Sequence, residues 1–219
     1  MEMNGWVGGF YRVSVIISRL AYMNLLWMLF TLVGFGLFGI MPATVALFAV
    51  MRKWIIQNEE FPLFSTFWQC YKAEFVKANG FGLFFAFFGF VLYINFSLAA
   101  EQVIWMTVIR YVLLVLTIVF LMTFLLFFPV YVHVKSKGTH YIKSAFLLSI
   151  AYPQYMILMG IAIVAVQYVL MFLPGLIPFF TASLISYVMT KIASIIFKIV
   201  ENKQPIQEDV NKEVSNEYA

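Results

Sequence analysis

Hydrophobic residues make up 63% of the 219 and charged residues only 11%, whereas a soluble domain carries roughly 45–50% and 25%. So short a chain has too little polar surface to cover that much apolar side chain in water, which excludes a water-soluble fold and leaves an integral membrane protein. The apolar runs are continuous instead of alternating, so the expected fold is all-α, a polytopic transmembrane helical bundle and not a barrel.

The start, MEMNGWVGGFYRVS, places Glu2 ahead of Arg12 and Arg19 and offers no small-residue cleavage site. It reads as an uncleaved, partly amphipathic lead-in helix. Residues 20–41 then supply 22 nearly uncharged positions, about 33 Å of helix and enough to span. Pro42 follows, a residue suited to the first turn of a new helix because its missing N–H would be unpaired there anyway. The next run, 42–56, is short for a span and ends on Arg52-Lys53-Trp54.

Charge arithmetic settles how to treat it. If 42–56 crosses along with 20–41, 80–99, 107–134, 146–173 and 174–199, thirteen of the fourteen basic residues fall on one side and only Arg110 on the other. That is the distribution the positive-inside rule assigns to the cytoplasm. The expectation is therefore six membrane segments with both termini cytoplasmic, Pro42 opening the return leg of a helical hairpin. Partial re-entry of 42–56 is the alternative.

Residues 61–79 are too polar to span. Leu63, Phe64, Phe67, Trp68, Tyr71 and Phe75 recur at helical spacing against Gln69, Lys72, Glu74 and Lys77, which predicts an amphipathic helix on the cytoplasmic membrane surface. Residues 201–219 hold five acidic residues and two lysines with no apolar period and read as a polar, flexible tail. The remainder, at +7, suits phospholipid and shows no nucleic-acid module.

Candidate chemistry is sparse. The carboxylates Glu2, Glu59, Glu60, Glu74, Glu101 and the five of the tail all lie outside the middle of the predicted spans, which argues against an ion-coupled carrier. His133 and His140 are too far apart for a helical metal pair, and the lone Cys70 has no thiol partner. No cofactor, metal site or catalytic set is expected. Asn24 and Gln167 need partners inside the bundle, and Thr31, Thr117, Thr123, Ser149, Thr181, Ser183 and Ser186 can bond to their own or neighbouring helices. Glycines at 34, 36, 39, 80 and 82 permit close backbone approach.

The N-terminal third carries a resemblance. NLLWMLFTLVGFGLFGIMPATVALFAVMRKW followed by FPLFSTFWQCYKAEFVKANGFGL is similar to the YesL-type family of bacterial membrane proteins of unknown function. The matching features are Asn24-Leu25-Leu26-Trp27, Pro42-Ala43-Thr44, Ala46-Leu47, Arg52-Lys53 and the spacing of Phe67, Lys72, Phe75 and Ala78. The resemblance implies a Gram-positive plasma-membrane protein whose gene neighbours include sugar-importer permeases, carbohydrate-binding lipoproteins and sensor kinases. It brings no catalytic residue with it.

The resulting expectation is a non-catalytic accessory subunit of an ABC-type oligosaccharide importer. Arg52, Lys53, Trp68, Lys72 and Lys77 would form its cytoplasmic docking surface for permease subunits, and Asn24, Trp27, Pro42, Ala43 and Thr44 would shape the hairpin. A standalone transporter or channel for a neutral solute, with a cavity lined by Asn24, Gln167 and the span hydroxyls, is the alternative.

Overall fold

The computed structural model describes residues 6–57, 61–98, 104–134 and 138–217. In chain order these form α1 (Trp6–Val33), α2 (Leu37–Arg52) with a π-helical turn at Lys53–Gln57, α3 (Leu63–Leu98) and α4 (Ile104–His133). They are followed by α5 (His140–Ala151), α6 (Pro153–Met171), a 3-10 turn at Pro174–Leu176, and α7 (Ile177–Glu217). Among the described residues six stretches are long and apolar enough to cross a membrane: Gly9–Val33, Leu37–Ile56, Leu63–Phe96, Thr107–His133, Pro153–Met171 and Pro174–Asn202. The protein is an all-α polytopic membrane bundle, as its composition requires.

The first hairpin is present, but it turns at Gly34–Gly36 and not at Pro42. Phe35 and Gly36 take φ of 55° and 71°, left-handed values that end a right-handed helix. Gly39 allows the two arms to meet: a Cβ there would lie 2.2 Å from the Thr31 carbonyl oxygen. Pro42 is buried inside α2. Its lack of an N–H leaves the Phe38 carbonyl without its helical donor, and Asn79 of α3 replaces that donor, Nδ2 standing 3.0 Å from the Phe38 oxygen. The same Nδ2 also donates to the Phe75 carbonyl at 2.9 Å.

Three other boundaries differ from expectation. The amphipathic segment 61–79 is no separate surface helix: it runs without a break into 80–98 as the 36-residue α3, about 54 Å long. Its Lys, Glu and Gln are strong helix formers, so a change of solvent along the helix does not interrupt it. The run 146–173 is divided at Tyr152 (φ −129°, ψ 56°), where Pro153 starts α6, since the residue before a proline is pushed out of the α region. The tail 201–217 continues α7 as helix; extending a formed helix avoids the nucleation penalty that an isolated polar segment faces.

Two apolar cores share α2. Leu126, Phe127 and Val130 of α4, Met156 and Met159 of α6 and Ile196 of α7 form one with Val45 and Phe48. Met23 and Leu26 of α1 and Phe67 and Tyr71 of α3 form the other with Ala43, Ala46, Leu47 and Met51. Half of the α2 span is buried against 17% of the α3 span, which makes α2 the central helix. Ala43, Ala46 and Ala193 have no exposed surface; in lipid, where apolar exposure carries no penalty, close approach at such small residues holds helices together. Phe87, Val115 and Val164 accordingly point outward.

Candidate functional site at the basic end of the bundle

Arg52 closes α2, His133 closes α4 and Glu201 lies on α7. Folding brings them together. Arg52 Nε donates to His133 Nδ1 at 3.3 Å, and an accepting Nδ1 puts the ring proton on Nε2. That nitrogen faces Glu201 Oε1 at 3.5 Å. The ring stacks on Phe197 with centroids 3.9 Å apart and planes within 9°. A cleft of about 210 Å³ opens beside it, lined by Ile55, His133, Lys191, Ser194, Lys198 and Glu201.

Aromatic faces steady the neighbouring cations. Arg19 lies 5.8 Å from the Trp54 ring, Trp54 packs on Tyr187 at 5.7 Å, and Lys191 sits 5.7 Å from that same tyrosine. Lys53 covers Phe61 at 5.3 Å. Such contacts contribute about 0.5–1 kcal/mol each at exposed positions. Arg19, Arg52, Lys53, Lys191 and Lys198, far apart in sequence, therefore gather at one end, while Arg110 rests over Phe96 beside the α3–α4 connection.

The five residues expected to form one docking surface do not share a face. Arg52 turns inward to His133 and Lys53 folds over Phe61. Trp68 stacks on Phe30 of α1 at 5.5 Å yet keeps 42% of its surface exposed, and Lys72, one turn later, is exposed. Lys77, nine positions beyond Trp68, falls on the opposite side of α3, roughly 180° around, where it pairs with Glu74 at 3.5 Å. Glu74 also accepts a short hydrogen bond from the Tyr131 hydroxyl of α4. Because α3 is continuous, this carboxylate lies within a stretch apolar enough to span, and not on a detached surface helix as its sequence neighbours suggest.

The motif residues fasten the hairpin. Asn24, 2% exposed, bridges one turn of α7: Nδ2 donates to the Pro178 carbonyl at 2.5 Å and Oδ1 accepts from the Ser183 amide at 3.0 Å. Trp27 Nε1 donates to Thr44 Oγ1 at 3.1 Å, and that hydroxyl donates to the Ile40 carbonyl at 2.7 Å. Pro42 and Ala43 pack between these contacts, both buried. Asn24 is thus helix-to-helix glue, whereas Gln167 Oε1 is buried without a partner and is not among the residues lining the cleft beside Asn24, Trp27 and Thr181.

Thr117, Thr123, Ser149, Thr181, Ser183 and Ser186 all donate back to carbonyls of their own helices. Among the described residues no three His, Cys, Asp or Glu side chains lie close enough to hold a metal ion. Sequence reasoning missed the Arg52–His133–Glu201 chain because Arg52 and His133 are 81 positions apart, and nothing local to either marks the pairing.

Comparison with known proteins places this architecture. Residues 20–96, which contain the second half of α1, α2 and most of α3, match the family described as protein of unknown function, DUF624. The uncharacterized protein YteU of Bacillus subtilis (strain 168) is 42% identical over 92% of this chain and 90% of its own length. From the same organism, YesV is 35% identical over 82% of this chain and 86% of its own, and YesL 31% over 86% and 89%. No solved structure matches the chain. Joined by that domain match to near full-length relatives, the chain belongs to the DUF624 family, the YesL-like membrane proteins of unknown function.

Proposed function

We propose that this chain is a non-catalytic accessory subunit of an ATP-driven oligosaccharide importer, seated in the bacterial plasma membrane with both termini cytoplasmic. The observation that carries the reading is a ridge along the first half of α3. Phe64, Trp68 and Val76 are 50%, 42% and 82% exposed, and with exposed Lys72 they recur every four residues, the spacing that builds one packing ridge on a helix. Two aromatics and a valine with a single cation among them suit a protein partner offering a groove and a carboxylate.

Two further features favour this reading over a carrier. The polar side chains best placed to meet a solute are engaged by the protein's own helices: Asn24 by α7, Asn79 by α2, Glu74 by α4. The cations collected at the end of the bundle that holds Arg52 and Lys198 give the orientation its electrical reason.

The test is purification from native membranes in mild detergent, with mass spectrometry of co-purifying proteins. Importer permeases are expected with the wild-type chain and should be lost in the Trp68→Ala/Lys72→Glu variant, at unchanged membrane insertion. Equal recovery with wild type and variant would refute the ridge. Solute flux in proteoliposomes holding this chain alone would replace the subunit reading with that of a standalone transporter.

A further inference from the structure

The second half of α3 and the first half of α4 run side by side in opposite directions. They touch where Phe85 meets Phe124 at 5.1 Å and where Gly89 stands beside Phe120, whose ring a Cβ would meet at 3.6 Å. Past Gly89 a cleft of about 400 Å³ opens between them, walled by Gly89, Tyr93 and Phe96 of α3 and by Leu114, Thr117 and Leu121 of α4. That is room for a small ligand. The walls are almost wholly apolar, and Thr117 Oγ1 is engaged by the Leu113 carbonyl of its own helix at 2.8 Å.

A cation stands at one end of this cleft. Arg110, Leu114, Thr117 and Leu121 are spaced i, i+4, i+7 and i+11, which puts them on one face of α4. The Arg110 guanidinium lies 5.3 Å from the ring of Phe96, itself part of the wall, so the ring steadies the charge at the mouth. Among the described residues no carboxylate pairs with Arg110: Glu74 is engaged by Tyr131 and Lys77, and Glu201 faces His133. Its N–H donors are therefore open to an acceptor, and a phosphate can take two of them at once.

The surroundings of the cleft call for lipid. Exposed apolar side chains continue along α3 through Phe87, Phe90 and Tyr93 and along α4 from Val108 to Leu121, a surface that acyl chains cover. Arg110 stands two residues inside the end of that surface, where a long cationic side chain reaches the headgroups. From Arg110 to Leu121 is eleven residues, about 16 Å. One leaflet, half of a hydrocarbon core of about 30 Å, has nearly the same depth. An occupant matching both features is amphiphilic, with an anion at Arg110 and an apolar chain of leaflet length below it; a helix of a second copy would supply the apolar surface without the charge.

We propose that the cleft between α3 and α4 binds one anionic phospholipid, its phosphate on Arg110 and one acyl chain lying between Gly89–Phe96 and Leu114–Leu121. The chain supplies the packing that the two helices do not give each other there, because a wall facing empty space has no atoms to attract. Gly89 sets the floor by letting Phe120 close the cleft beneath the chain.

The inference is independent of the importer reading and is tested without a partner. Cys70 is the only cysteine, so in a Cys70→Ser background a fluorophore can be attached at Ile118→Cys on the cleft wall, or at Val164→Cys on the exposed face of α6. The protein is reconstituted in phosphatidylcholine vesicles holding increasing fractions of phosphatidylglycerol or phosphatidylcholine brominated in mid-chain, so that bromine in contact quenches the label. At position 118 the brominated phosphatidylglycerol is expected to quench at about one-fifth of the fraction that phosphatidylcholine needs. Arg110→Gln should abolish that preference, and position 164 should show none. Equal quenching by the two lipids at position 118, a preference that survives Arg110→Gln, or the same preference at position 164 would overturn the proposal. So would the absence of quenching by either lipid at position 118, the result of a cleft filled by a second copy.

Discussion

Asn79→Ala tests the pairing of Asn79, Phe38 and Pro42 directly. The substitution removes the donor that Pro42 makes necessary, leaving the Phe38 carbonyl without a partner at a place where Phe38 itself is 60% exposed. Interhelical hydrogen bonds in membranes average about 0.6 kcal/mol and reach about 1.7, while orphaning a buried acceptor costs about 1–3 kcal/mol. The usual reason for the low average, that the freed group finds another donor, fails here because residue 42 has none. A loss of about 1.5 kcal/mol is expected in reversible unfolding in mixed micelles. Pro42→Ala restores an N–H four residues after Phe38, so in that background Asn79→Ala should cost at most half as much, a coupling of about 0.7 kcal/mol or more. Equal losses in both backgrounds would show that Asn79 acts through packing or through its Phe75 bond, and the account of Pro42 would be wrong.

Other substitutions probe neighbouring contacts. Gly39→Ala drives a methyl into the Thr31 carbonyl and should destabilise by about 3 kcal/mol, read as protease sensitivity in detergent, whereas Gly80→Ala, with open space around its Cβ position, should match wild type. Asn24→Leu removes both contacts with α7 and should cost about 1–2 kcal/mol in the same unfolding assay, with faster hydrogen exchange at the Ser183 amide. At the basic end Glu201 is 66% exposed, so Glu201→Gln should change stability by less than about 1 kcal/mol. His133→Ala, which loses the stack on Phe197 and the Arg52 bond, should cost about 2 kcal/mol; the reverse order would mean that the ion pair, not the ring, holds α4 to α7.

Composition alone determined the class of this protein and its apolar stretches, and the polarity of Asn24 its role as a fastening, because hydrophobicity and the need to pair a buried amide act on each residue wherever the chain carries it. The YesL-like motif was legible for the same reason: Trp27, Pro42 and Thr44 lie within one short hairpin. Contacts between distant positions were not. Pro42 signals a helix start only while no donor is available for Phe38, and that donor comes from Asn79, 41 positions away. The charges of residues 72–77 suggested a detached surface helix, yet α3 runs through them unbroken, and Glu74 finds its partner in Tyr131, 57 positions on. His133 looked idle until α2 and α7 brought Arg52 and Glu201 to its two nitrogens. Hydropathy records how much apolar length each helix has; only the tertiary contacts decide where along a neighbour that length is placed.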